Sequence, residues 1–230
     1  MTLKKEMALV LMQISSGILL PNINKVSINE IYEKYKTDFQ PSESVFLIWP
    51  VIYSFLLYGF YKQKNEWDQT SEKYFQSVTV SNILWVYLWT KDKIVLSNLC
   101  FLPLCFSLYQ LIDRNINEQD LILQNTLSIY LCWTLVASTL NFASVLKYKL
   151  KFKSYKKITG FLLGFSQIFL VIRNQTISSN KRETFKKNTN SYPLVGFISL
   201  IALKNKSKDI NNELFFYLLC CLFSTYKQIK

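Results

Sequence analysis

Leu121-Ile-Leu-Gln-Asn-Thr-Leu-Ser-Ile-Tyr-Leu-Cys-Trp133-Thr-Leu-Val-Ala137-Ser-Thr-Leu-Asn141-Phe-Ala-Ser-Val-Leu146 is the stretch on which the fold turns. It carries no charge, and it exceeds the run of about 20 apolar residues that spans a hydrocarbon core of about 30 Å, which predicts an integral membrane protein. Trp133, Ala137 and Asn141 recur at four-residue intervals and share one helical face. A large ring, a small residue and an amide on one face suit a helix packed against neighbours around something bulky and partly polar. Acyl chains alone would not ask for that face.

Half of the 230 residues are apolar, and they fall in blocks separated by charged loops. Outward from Leu121–Leu146, the expected spans are Met7 to Leu20, Val45 to Tyr61, Tyr74 to Thr90 and Ile94 to Ile112. Three shorter blocks follow: Ile158 to Ile172, Tyr192 to Leu203 and Leu214 to Tyr226. The last two are short enough for tilted interfacial helices, re-entrant segments or spans in a locally thin bilayer. The reading is therefore an all-α membrane protein. Its five-helix core occupies residues 1–150 and holds a polar connector at 22–44; a C-terminal extension at 151–230 carries up to three more hydrophobic helices and a basic linker.

The net charge is +12, with no histidine. Basic chains collect nucleic-acid backbones, but here the lysines sit mainly in two connectors, Lys147 to Lys157 and Arg173 to Lys187. Anionic lipid headgroups are the expected partner and nucleic acid is not. The five cysteines all lie in apolar blocks without Cys-x-x-Cys spacing and read as buried thiols. Without histidine, a zinc site of the usual kind, a His-based triad and a haem-ligating imidazole are excluded. Lys4 and Lys5 ahead of an apolar stretch also describe a signal peptide, but no Ala-x-Ala-like site follows, so a retained first span is expected.

In the connector, Ile28, Ile31, Tyr32 and Tyr35 have the spacing of a short amphipathic helix, with an ordered loop as the alternative. Pro50 should kink the second span unless it lies in the first turn. Trp67, in a charged loop, reads as an interfacial anchor. Gly160 and Gly164 form a small-xxx-small pair. Ile177 to Asn190 reads as a mobile linker.

Tryptophans and polar side chains are concentrated in the core spans: Trp49 with Tyr53, Asn82 with Trp85 and Trp89, and Trp133 with Ala137 and Asn141. If those faces converge they form an aromatic box for a flat apolar ligand, whose carbonyl or carboxylate edge an indole N–H or an amide could orient. Tryptophan also belts membrane interfaces, and intramembrane asparagine also serves as helix-to-helix glue.

These segments resemble the TspO/MBR family of tryptophan-rich sensory and translocator proteins. Phe46-Leu-Ile-Trp-Pro-Val-Ile-Tyr53 resembles its second-helix signature, and Ser81-Asn82-Ile-Leu-Trp85-Val-Tyr-Leu-Trp89 its third-helix Asn-x-x-Trp pattern. Ile129-Tyr130-Leu-Cys-Trp133-Thr-Leu-Val-Ala137-Ser-Thr-Leu-Asn141 is similar to its fifth-helix motif, with Ile129 in place of the family's proline. The resemblance covers about Met7 to Leu146 and is nearest to a longer branch with extra C-terminal segments. It implies a five-helix bundle that binds porphyrin, haem or sterol-like molecules, with Trp49, Asn82, Trp85, Trp133, Ala137 and Asn141 lining or supporting the cavity.

Two functions follow from these readings. One is a ligand-binding membrane protein for sensing or transport, with no resident cofactor beyond a tetrapyrrole as ligand. The other is a structural accessory subunit of a larger membrane complex, or a homodimer, with a vestigial pocket; the use of Lys, Asn, Ile, Phe and Tyr in place of Gly and Ala suits such drift. Catalysis is not expected, because the core spans offer tyrosine and cysteine but neither carboxylate nor histidine for acid–base work. The family resemblance implies a mitochondrial membrane in a eukaryote, although the first residues lack an Arg- and Ser-rich transit peptide.

Overall fold

The computed structural model describes residues 4–39, 46–63, 67–114 and 121–180. Their elements, in chain order, are α1 (Lys5–Asn24), α2 (Ile28–Lys34), α3 (Ile48–Lys62), α4 (Gln69–Thr90), α5 (Ile94–Leu99), α6 (Phe101–Arg114), α7 (Leu121–Ser144), a π-helical turn (Val145–Lys149) and α8 (Tyr155–Asn180). No strand occurs among the described residues. The expected segments Tyr192 to Leu203 and Leu214 to Tyr226 lie outside them. Among the described residues three helical stretches are long and apolar enough to cross a membrane: Lys5–Asn24, Ile94–Arg114 and Ile122–Lys149. The chain forms two compact units, one from Met1–Tyr35 and Leu47–Leu131, the other from Lys36–Phe46 and Cys132–Lys230.

In the first unit α4 is the hub, packed against α1, α2, α5 and α6, while α1 also packs on α3. The periodicity of α4 explains this role. Phe75, Val78, Thr79, Asn82, Trp85, Val86 and Trp89 recur at helical spacing and are buried. Val80, Leu84 and Tyr87, on the other side of the same helix, are exposed. Trp67, expected at the interface, has its ring packed inward. It is 5 % exposed and sits edge-on to Phe60 and Phe75 at 5.0 and 5.6 Å. Such edge-on ring pairs are worth about 0.5–1.5 kcal/mol beyond the area they bury.

Asp68 caps α4 by accepting a hydrogen bond from Ser71 N at 2.8 Å, and it pairs with Arg114 at the end of α6. The Ser71 bonds come first, and the Arg114 guanidinium adds to them, holding the Asp68 carboxyl at about 2. A depressed carboxylate stabilises above its unfolded pKa and loses that contribution as pH falls through its folded one. Asp68→Asn keeps an acceptor but drops the charge. We therefore expect melting temperatures at pH 7 to fall in the order wild type, Asp68→Asn, Asp68→Ala. The difference between wild type and Asp68→Asn should shrink between pH 4 and pH 2; a pH-independent difference would contradict the assignment.

Helix ends follow from local chemistry. Pro50 is the third residue of α3, in the first turn, where its missing N–H costs nothing and no kink is required. Helix α1 runs through Pro21 and closes when Lys25, at φ 53°, lets Lys25 N bond Asn22 O and Val26 N bond Pro21 O. The same paired closure ends α4 at Asp92 (φ 61°), through Asp92 N to Trp89 O and Lys93 N to Leu88 O. The connector forms the amphipathic helix: α2 is capped by Ser27, buries Ile31 and Tyr35, and receives the Trp89 indole N–H on Ile28 O at 3.2 Å.

In the second unit Ala143, Leu146 and Tyr155 form an apolar core with Phe142 and Ile158 packed on it. Helix α8 begins at Tyr155 and continues to Asn180, well past Ile172, so the first residues of the expected linker Ile177 to Asn190 are helical, while those after Asn180 lie outside the described residues. No glycine or proline interrupts the chain between Phe165 and Asn180 to stop it. Gly160 and Gly164 are buried, while Phe161, Phe165 and Phe169 are exposed at four-residue intervals.

Candidate functional site

A chain of polar groups runs through the interior of the first unit. The Tyr53 hydroxyl donates to Asn82 Oδ1 at 3.3 Å, and Asn82 Nδ2 donates to the Tyr130 hydroxyl at 3.0 Å. Tyr130 in turn donates to Gln13 Oε1 at 2.8 Å, and Gln13 Nε2 donates to Thr79 Oγ1 at 2.9 Å. Thr79 passes its own proton to Phe75 O at 3.0 Å. Every donor points the same way, from α3 through α4, α7 and α1 back to α4, and the series ends on a backbone carbonyl. Aligned donors polarise one another, and a fully satisfied network avoids the penalty of a bare polar group in a dry interior. Gln13, Thr79, Asn82 and Tyr130 are each no more than 1 % exposed.

Aromatic rings cover one side of this network. Trp49 stacks against Tyr53 and against Trp85, both at 5.8 Å, with interplanar angles of 26° and 29°. Tyr130 meets Trp49 edge-on at 5.6 Å. Trp85 also contacts Phe101 at 5.4 Å and Trp89 at 6.4 Å. Such offset and edge-on arrangements place positive ring edges against negative faces. Trp49 is the half-buried member, whereas Trp85 is 9 % exposed. The buried indole nitrogen of Trp85 has no hydrogen-bond partner among the described residues.

Four of the residues singled out from sequence, Trp49, Tyr53, Asn82 and Trp85, thus meet in the first unit. Trp89 adjoins them, but its N–H is spent on Ile28 O at 3.2 Å, so it serves to close α2 over the end of α4. Trp133, Ala137 and Asn141 belong to the second unit, where Trp133 and Asn141 are buried and Ala137 is half-buried. Gln13, Thr79 and Tyr130 were not singled out as site residues. Gln13 is the lone amide in the Met7–Leu20 run, and an amide there calls for an interior partner. No cluster of metal-ligating side chains occurs among the described residues.

The helical layout, the membrane-length apolar helices and the tryptophan–amide core agree with one known group. A family model described as TSPO-like protein matches residues 5–226. The chain belongs to the TSPO-like protein family. The match extends beyond Leu146 and takes in α8 and most of the residues after it. The TSPO-like fold is an all-helical membrane bundle, and an integral membrane protein of TspO type is what the apolar helices of this chain require. No curated protein and no solved structure matches the chain.

Proposed function

We propose that this TSPO-like protein binds a flat hydrophobic molecule, a tetrapyrrole or a sterol-like ligand, for sensing or transport, at the cluster of Trp49, Tyr53 and Trp85. The observation that carries this reading is the Trp85 indole N–H, buried beside the Trp49 ring without an acceptor among the described residues. Buried donors are normally satisfied, and a ligand carbonyl or carboxylate would complete this one. Trp49, being half-buried, is the ring on which a conjugated ligand can stack. Family position adds Trp133, Ala137 and Asn141 to the candidate residues. Binding rather than catalysis is the role proposed, and a mitochondrial membrane is the proposed location.

Titration of the full chain in detergent with protoporphyrin should quench tryptophan fluorescence. Trp85→Phe keeps a ring and removes the donor, so affinity should fall about fivefold, the equivalent of one hydrogen bond. Trp49→Ala removes stacking area and should cost about tenfold. No quenching at micromolar porphyrin, or unchanged affinity in both variants, would remove this reading.

A second reading rests on a specific observation too. The Tyr53–Asn82–Tyr130–Gln13–Thr79 series is complete in itself, as expected of a bundle whose interior serves packing within a larger membrane assembly. Native mass measurement after gentle solubilisation separates the two, since a structural subunit should carry protein neighbours and a binding protein a small molecule.

A further inference from the structure

Where α7 gives way to α8 the chain reads Lys147-Tyr148-Lys149-Leu150-Lys151-Phe152-Lys153, lysine alternating with an apolar residue, and Lys156 and Lys157 follow. A water-facing turn would tuck its apolar side chains in. Here Leu150 is 63 % exposed and Phe152 47 %, beside exposed Lys149, Lys151 and Lys153. The turn is also braced. Leu150 N bonds Val145 O at 3.1 Å, Phe152 N bonds Leu146 O at 2.8 Å, and Lys151 takes the left-handed conformation at φ 51°. From the connector, Lys36 O accepts from Lys147 Nζ at 2.7 Å and from the Tyr148 hydroxyl at 2.6 Å. Asp38 accepts from the Tyr155 hydroxyl and pairs with Lys156 at 3.1 Å. The Tyr155 bond, with Lys156 beside it, holds the Asp38 carboxyl below the usual carboxylate range and commits this acid to the brace.

This turn follows directly on Ile122–Lys149, one of the stretches long enough to cross a bilayer, and so stands where the chain leaves hydrocarbon. We propose that the α7–α8 turn is a docking surface for an anionic phospholipid leaflet, Leu150 and Phe152 entering the headgroup–acyl boundary while Lys149, Lys151, Lys153 and Lys157 meet lipid phosphates. Charge and apolar exposure select the same occupant. An acidic protein partner would use the lysines and leave Leu150 and Phe152 without purpose, whereas the membrane edge satisfies both. The proposal does not depend on ligand binding at Trp49 and Trp85.

The test is lipid selectivity of the full chain reconstituted in phosphatidylcholine bilayers, read by electron paramagnetic resonance as motional restriction of spin-labelled phosphatidylglycerol against spin-labelled phosphatidylcholine. The wild type should prefer the anionic lipid about threefold at low salt, falling toward parity at about 1 M salt, where screening acts within about 3 Å. Lys149→Gln/Lys151→Gln/Lys153→Gln/Lys157→Gln should lose most of that preference. The smaller Lys151→Gln/Lys153→Gln variant, altered only on non-helical backbone, should lose part of it and guards against misfolding of the larger one. Inorganic phosphate should compete no better than chloride at equal ionic strength. Equal restriction of the two lipids in the wild type, a preference untouched by both variants, or displacement by millimolar phosphate would overturn the proposal.

Discussion

Tyr130→Phe is expected to destabilise the protein by about 2 kcal/mol, read as a lower melting temperature in detergent. The loss exceeds that of an ordinary hydrogen bond because two partners are stranded together: Gln13 Oε1 loses its donor and Asn82 Nδ2 its acceptor. Both lie in a packed interior that water does not relieve, Gln13 and Asn82 each being 1 % exposed. Gln13→Met should cost less, about 1 kcal/mol. Thr79 already donates to Phe75 O, and Tyr130 keeps its bond from Asn82 and its contact with Tyr53, so the loss is confined to the bonds of Gln13 itself. Once Tyr130 is phenylalanine, the Gln13 substitution removes an oxygen already stranded, so the double variant should lose clearly less than the sum of the single ones. Strict additivity would mean that the hydroxyl and the amide do not share an energetic network.

Gly59→Val is the second large effect, about 3 kcal/mol, and its cause is steric. A Cβ on Gly59 would stand 3.2 Å from Leu123 Cβ and 3.3 Å from Leu123 Cα. The second of these atoms is backbone and cannot rotate away, so α3 and the start of α7 would have to separate, and overpacking of this kind costs about 1–3 kcal/mol. Valine's branched methyls place it at the top of that range. Gly59→Ala meets the same contacts with one methyl, and the gain in helix propensity of about 1 kcal/mol offsets part of the loss. Valine should therefore lower the melting temperature several times more than alanine; equal small effects would show that the two helices do not meet at Gly59.

Much of the candidate cluster was legible because its residue types are costly in an apolar run. Asn82 with Trp85, and Trp49 with Tyr53, stood out as rings and amides at helical spacing, and these four meet. Gln13 carried the same signal in Met7–Leu20, a lone amide among apolar residues, yet nothing near it in sequence indicated which helix held its partner. That partner, Tyr130, is 117 positions away. Trp67 was misplaced because its neighbours in sequence are charged, while its neighbours in space are Phe60 and Phe75. The length of α8 was underestimated for a related reason. Ser, Asn and Thr after Ile172 are weak helix formers, but weak propensity does not end a helix that lacks a breaker.

Uncharged runs, their helical spacing and the position of each proline depend only on local covalent chemistry and on the cost of bare backbone in hydrocarbon. From these alone the chain is determined to be helical, membrane-embedded and rich in aromatic rings along its buried faces. Which rings stack, which way the amides point, and that the Trp85 donor finds no acceptor among the described residues while the Trp89 donor reaches Ile28 O were decided only by the tertiary structure. Those outcomes depend on side chains from separate helices arriving within about 3 Å of one another, and no periodicity along a single helix encodes that distance.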